Sequence, residues 1–337
     1  MLRGVAKDAL EAAVRGGVVL GCSGGLDSMV LLDLLAQLQK KSGGHVTVAH
    51  VNYGLRRSAV ADERCVRKIA ALHDLPCVVH ACRGRVPARA NLQNWAREVR
   101  YKFFTRVAKK VGAATMVVAH HADDQAETIV WHLLRGSGLA GLCGMSAVRA
   151  MNVSGGVQLF RPLLAVPRSA LAEYARVRNI VFRNDPTNAS PRFTRNRVRH
   201  ELLPLCEALH AGAIRHIAAL GNRVAHDEAY LTSTAQTSFD ALRAAAARGA
   251  VQWRRKDFVE FPAAIRVRIF QLAYAALLGS MHHLAADHLE QMDHIATGHG
   301  GQYCLPGPAI FSCTATHCCI NKGSLHRSSV STKGSPL

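Results

Sequence analysis

The stretch Gly21-Cys22-Ser23-Gly24-Gly25-Leu26-Asp27-Ser28 collects residue types suited to holding an anion. Two adjacent glycines let backbone N–H groups close on a ligand, and Ser23 and Ser28 add hydroxyl donors. The apolar Val18-Val19-Leu20 precedes the stretch, and Met29-Val30-Leu31-Leu32 follows it. The segment therefore reads as strand, loop and helix start. Unpaired N–H groups and the helix dipole both favour negative charge there, which makes the loop a candidate phosphate site. No Gly-Lys-Ser/Thr follows the glycines, so this is not a Walker loop. Asp27 would repel bound phosphates unless a cation stood between them. It is a candidate magnesium ligand, or, more plainly, a helix-start carboxylate.

A second group of polar residues lies further on. His50 and Asn52 end one apolar run, and His120-His121-Ala122-Asp123-Asp124-Gln125 ends another. His120 and Asp124, four apart at a helix start, can share a face. Asp123 or Asp124 either caps that helix or joins Asp27 around magnesium. In Asn94-Trp95-Ala96-Arg97-Glu98-Val99-Arg100-Tyr101, Arg97, Arg100 and Tyr101 fall on neighbouring helical positions. Arginine there can grip phosphate with two parallel hydrogen bonds, or simply face solvent.

The elements that must position these groups alternate. Strands are expected at 18–20, 45–51, 77–80 and 115–119, with helices at 29–38, 61–73, 91–111 and 126–134. Such alternation argues for an α/β fold with a doubly wound parallel sheet. Each polar cluster falls just after a strand, and in these sheets ligands bind beyond the carboxyl ends of the strands. The three clusters should therefore share one crevice. Gly136-Ser137-Gly138-Leu139-Ala140-Gly141 follows a helix rather than a strand, so a dinucleotide fingerprint is unsuited to it. It is either a loop open to a ligand or ordinary turn chemistry.

The 337 residues carry a net charge of +19 with 49% hydrophobic residues, a packed protein with a polyanionic partner, best read as nucleic acid. The densest cationic stretch runs from Arg192 to His200. No apolar run is long enough to span a bilayer, and Met1 to Arg15 has no apolar signal core, so a cytoplasmic location is the default. The ten cysteines form no Cys-x-x-Cys and are expected reduced, Cys22 as packing. Cys313, His317, Cys318 and Cys319 cluster near the end, where a C-terminal strand or tail is expected ahead of a metal site, and the short apolar segment after Gly300-Gly301 reads as a hairpin. Beyond 210 the chain turns alanine-rich and helical. Two domains are expected, at 1–210 and 211–337, the second smaller and mainly helical with a mobile tail after 322.

Taken in order, Ser23-Gly24-Gly25-Leu26-Asp27-Ser28, His50-Val51-Asn52-Tyr53-Gly54-Leu55-Arg56, Ala96 to Tyr101, His120 to Thr128, Leu134 to Leu142, Arg161-Pro162-Leu163-Leu164, Asp185-Pro186-Thr187-Asn188 and Arg195-Asn196 with the arginines that follow, Arg197 and Arg199, resemble the bacterial tRNA(Ile)-lysidine synthetases. These are enzymes of the PP-loop ATP pyrophosphatase superfamily. The likeness covers roughly residues 15 to 205. Tyr53 departs from it, because the family usually has His there.

The resemblance implies an adenine nucleotide α-hydrolase-like sheet and a ligase acting on the wobble cytidine of CAU-anticodon tRNA(Ile). ATP adenylates the cytosine C2 oxygen, and L-lysine then replaces AMP to give lysidine. Ser23, Gly24, Gly25, Leu26, Asp27 and Ser28, with His50 and Asn52, would bind ATP. Asp27 and Asp124 would hold Mg2+, and Arg100, Arg195 or Arg197 the α-phosphate and adenylated base. His120 would orient a phosphate or shuttle a proton. Asp123, Glu127 and Asp185 are candidates for the lysine ammonium group. The alternative is another tRNA-modifying PP-loop adenylating enzyme, such as a tRNA thiolase.

Overall fold

The computed structural model describes residues 4–55, 58–82, 92–151, 156–183, 194–242, 249–280 and 284–323. The chain divides into two compact units, Met1–Ala225 and His226–Leu337. The division falls inside one long helix, whereas the sequence placed it near 210, just before that helix.

The N-terminal unit is built on a six-stranded sheet of β1 (Val18–Gly21), β2 (Val46–Asn52), β3 (Cys77–Ala81), β4 (Thr115–Val118), β5 (Val148–Ala150) and β6 (Gln158–Phe160). The order is β3-β2-β1-β4-β6-β5. All neighbours run parallel except the edge pair β5–β6. The helices α1 (Lys7–Arg15), α2 (Leu26–Ser42), α3 (Ala59–Leu72), α4 (Leu92–Val111), α5 (Ala122–Leu134), α6 (Leu139–Leu142), α7 (Arg168–Val177), α8 (Thr194–Arg197) and α9 (Leu203–Leu209) surround it, with a π-helical turn at Val198–Leu202.

Successive strand residues point to opposite faces, so a strand covered on both sides must be apolar throughout. Val18 and Leu20 enter one core with Met29, Leu31 and Leu35 of α2, while Val19 enters another with Phe103, Phe104 and Val107 of α4. That continuous apolar run identified β1 in the sequence. The order reverses direction around β1 and β4, which opens a crevice at their carboxyl ends. There β1 passes so close to α4 that a Cβ on Gly21 would lie 2.3 Å from Phe104.

The four expected strands form as read. β5 and β6 were not expected: three residues each is too short for a period-two pattern to register. The helix α5 starts at Ala122, four residues before the expected start, because His121 caps it.

The C-terminal unit takes up the second part of α10 (Ala213–Leu242). It also has α11 (Arg255–Val259), α12 (Ala263–Leu278), α13 (Ala286–Thr297) and four strands, β7 (Ala250–Arg254), β8 (Gly301–Leu305), β9 (Ala309–Cys313) and β10 (His317–Lys322). The strands form an antiparallel sheet in the order β7-β10-β9-β8. The expected hairpin is thus three strands long, and β7 completes it. Trp253, Phe258, Phe270 and Phe311 make its buried aromatic centre, with ring centroids 4.9 to 6.1 Å apart. Among the described residues no group of three or more His, Cys, Asp or Glu is placed to hold a metal, and no helix is long and apolar enough to cross a membrane. The tail beyond 323 and Asp185-Pro186-Thr187-Asn188 lie outside the described residues.

Candidate active site

The phosphate-loop candidate is a tight turn between β1 and α2. Gly24 takes φ +88°, a left-handed conformation that side chains disfavour. The hydroxyls of Ser23 and Ser28 lie 3.1 Å apart, and Ser28 Oγ accepts the Ser23 N–H at 3.2 Å and donates to the Gly25 carbonyl at 2.9 Å. These bonds preform the loop. Gly25 is the N-cap of α2, and no side chain caps that helix, which leaves its first turn suited to an anion. Cys22 is buried beneath, and burial pushes its thiol up to about 11. It is a packing residue, as the sequence suggested.

His50, at the end of β2, is buried and bonds the Cys22 carbonyl through Nδ1 at 2.9 Å. A carbonyl only accepts, so Nδ1 carries the proton. Burial lowers the pKa of His50, so the ring stays neutral and braces the loop. Asn52 donates to Glu63 of α3 at 2.9 Å and accepts the Gly54 N–H at 3.0 Å. Both residues hold the loop's surroundings in shape. Tyr53 donates to the Ala96 carbonyl at 3.0 Å and accepts from Arg100 Nε at 3.1 Å. Tyr53 thus fixes Arg100 by a direct hydrogen bond.

The carboxylates meet beside β4. His121 Nδ1 accepts the Asp124 N–H at 3.4 Å while Asp124 Oδ2 accepts the His121 N–H at 3.1 Å, a capping box on α5. The other ring nitrogen, Nε2, lies 3.7 Å from Asp27 Oδ2 and 3.4 Å from Asp124 Oδ2. One buried imidazole therefore joins the two acids read from the sequence. Burial opposes charge on His121, but Asp123, Asp124 and Asp27 together raise its pKa. Asp27 is raised, by burial first and then by Asp124. Asp124 is lowered: burial works against it, and His121, His120 and Arg199 outweigh burial. Asp27 Oδ1 is buried without a hydrogen-bond partner, with Arg168 Nε at 4.0 Å. An unpartnered buried carboxylate oxygen beside a second carboxylate is a hard-oxygen donor set. It suits magnesium, which takes one or two carboxylates and completes its shell with water and substrate phosphates.

The basic residues are sorted by the fold. Arg195 donates to Glu127 at 2.5 Å and to Thr128 at 2.8 Å. Arg199 bonds Asp124 at 2.5 Å and Glu127 at 2.7 Å. Arg197 instead points outward and pairs with Glu201 at 3.0 Å. Arg195 and Arg199 are four apart along α8 and the π-helical turn that follows it, and both turn to the acids. Arg199, which the sequence reading placed only within the arginine run, thus reaches the acids, and Arg197, two residues from each, does not. Of the candidates for the lysine ammonium group, Glu127 is engaged by two arginines, and Asp123 accepts the Arg168 N–H at 2.9 Å. His121 was also missed as a site residue, and its place immediately before Ala122 as a helix cap was the available signal. Arg161 is buried and donates to His120 Nδ1 at 3.2 Å and to the Ser146 carbonyl at 2.6 Å.

The glycine loop after α5 is packed at its far end. Gln125, buried on α5, bonds Cys143 and Met145 at 2.7 to 3.1 Å, and a Cβ on Gly141 would lie 2.4 Å from Ser137. Gly136 and Gly138 face open space, so the loop keeps both readings, turn and ligand approach.

A family model of the PP-loop domain matches residues 4–206. The tRNA(Ile)-lysidine synthase of Methylobacterium nodulans is 35% identical over 97% of this chain and 92% of its own length. This chain belongs to the tRNA(Ile)-lysidine synthase family. The Rhodopseudomonas palustris member is 39% identical over 75% of this chain and 72% of its own. The Geobacter sulfurreducens member is 36% identical over 82% of this chain, which spans only 59% of that relative. Among solved structures, the U34-tRNA thiolase NcsA of Methanococcus maripaludis superposes with a TM-score of 0.53 at 18% identity, over 64% of this chain and 78% of that one. That likeness concerns the fold.

Proposed function

We propose that this protein uses ATP to activate the wobble cytidine of CAU-anticodon tRNA(Ile) and joins L-lysine to it, giving lysidine. The observation that carries the reading is the near full-length similarity to the Methylobacterium nodulans synthase. The geometry supports it through the uncapped start of α2, suited to the β and γ phosphates, and the acid pair Asp27 and Asp124 beside it.

The cytosine C2 oxygen attacks the α-phosphorus and pyrophosphate leaves. The lysine amine then attacks C2 and AMP leaves. Asp27 and Asp124 would hold magnesium, which offsets charge on the leaving pyrophosphate when bound. His120 has the clearest derived role. Arg161 can only donate, so His120 Nδ1 accepts and its proton sits on Nε2. Burial holds its pKa at about 4. Neutral His120 is then a donor that orients a phosphate or the developing oxyanion, rather than a proton shuttle. Arg100 and Arg195 supply further positive charge for the α-phosphate and the adenylated base. The cytosine must leave the anticodon stack to be reached, and the strongly basic chain, C-terminal unit included, would grip the tRNA backbone. A cytoplasmic site of action belongs to the same reading.

The test is incorporation of radiolabelled lysine into CAU-anticodon tRNA(Ile) with ATP and magnesium, beside Asp27→Ala. ATP-dependent label lost in Asp27→Ala is the expected result. Pyrophosphate release without lysine incorporation would replace this reading with a thiolase-like one.

A further inference from the structure

A cavity of about 400 Å³ opens between α4 and the β5–β6 edge of the N-terminal unit. Its floor is apolar, made by Leu159, Met151 and the face of Tyr101, and its rim carries Arg97, Lys102 and Arg149. The one carboxylate on the rim, Glu98, lies 3.5 Å from Lys102 and offsets that charge. Two guanidinium groups then dominate the mouth. Arg97 lies 5.0 Å from the centroid of the Tyr101 ring, and Arg149 stands on the exposed edge strand β5. Tyr101 in turn interacts with Arg161, which donates to His120 at 3.2 Å. The cavity is therefore one side chain, Arg161, removed from His120 of the candidate active site.

We infer that this cavity receives a nucleotide adjacent to the reacting cytidine of the RNA substrate, its base against Tyr101 and Met151 and its phosphate between Arg97 and Arg149. The inference rests on the RNA-modifying reading above and names a subsite for that substrate. An aromatic and apolar floor takes any base by stacking, and a cationic rim takes the phosphate. Two guanidinium groups at the mouth repel a free lysine. A base flipped into the active site needs its neighbours held, because unstacking one nucleotide loosens the next.

The probe is a CAU-anticodon stem-loop carrying 2-aminopurine beside the cytidine, added to the full-length protein. Binding should change its fluorescence. Met151→Trp, which fills the cavity, should abolish that change. Arg149→Ala, at an exposed position that leaves the fold alone, should weaken stem-loop binding roughly ten-fold. Affinity for ATP should stay at the wild-type value in both. Unchanged fluorescence and affinity in both variants would overturn the proposal. So would displacement of the aminopurine by cytidine monophosphate alone or by lysine alone, because the occupant would then be a free small molecule. An aminopurine signal that depends on Arg149 in a protein that incorporates no lysine would sink the reaction assigned above and still support an RNA subsite here.

Discussion

Arg161 donates its Nε–H to Nδ1 of His120 across 3.2 Å, with the guanidinium itself buried. A fixed cation against an imidazole, together with burial, makes protonation of that ring unfavourable. Burial is the larger cause, and it brings His120 from 6.5 to about 4. The folded state thus refuses a proton that the unfolded chain accepts below pH 6.5. Stability from this residue is complete above that value and falls as the pH drops towards 4. Urea denaturation should show a loss of at most about 2 kcal/mol between pH 7 and pH 5, a ceiling because the ring keeps some solvent contact. His120→Asn keeps an acceptor for Arg161 and should remove this loss. An unchanged pH dependence in that variant would refute the neutral ring.

Asp27 shows the opposite balance. Its pKa is raised, so its ionised form burdens the fold at neutral pH, and the burden fades as the pH falls towards 3.8. Asp27→Asn should raise the melting temperature at pH 7 and by less at pH 5, while cutting ATP-dependent lysine incorporation at least about 100-fold. Greater stability with lost activity is the signature of a strained functional carboxylate. A melting temperature lower than wild type would mean that Asp27 is an ordinary helix-start residue.

Sequence legibility followed the length and regularity of the elements. The run Val18-Val19-Leu20 and the Ser/Gly loop after it were readable because a doubly covered strand must be apolar and a phosphate turn needs glycine. Asp27, Asp124 and His120 were readable as polar residues placed at strand ends. Arg199 was not singled out within the dense arginine run, although its spacing of four from Arg195 puts those two on one helical face and Arg197 on the other. His121 was hidden because a capping histidine looks like any loop residue until its ring is seen between two acids. The edge strand β5, exposed at all three residues, carries no burial pattern to read.

The two faces of this helix give a direct contrast. Arg199 balances both Asp124 and the buried Glu127. Arg199→Ala should cost roughly 1–3 kcal/mol in urea denaturation, below the figure for a fully buried pair because its side chain is partly exposed. It should also abolish activity. Arg197→Ala, which removes only the solvent-exposed pair with Glu201, should leave the melting temperature unchanged. Equal losses from the two variants would contradict this division of faces.

Cys22 lies inside the phosphate loop, where a reactive thiol would invite a redox role. Its surroundings argue against one. The side chain is buried at 2% exposure, and its sulfur sits 3.6 Å from both Ser28 Oγ and Met29 Sδ. Burial raises its pKa to about 11, so at pH 8 the thiolate fraction is roughly one in a thousand. A thiol reagent at pH 8 should label exposed Cys304 quickly and leave Cys22 unmodified until the protein is unfolded, as read by peptide mass. Cys22→Ala should keep ATP-dependent lysine incorporation within about three-fold of wild type and lower stability by about 1 kcal/mol, the scale of a small cavity. Rapid labelling of Cys22 in the native protein, or loss of activity in Cys22→Ala with the melting temperature preserved, would give this sulfur a role beyond packing.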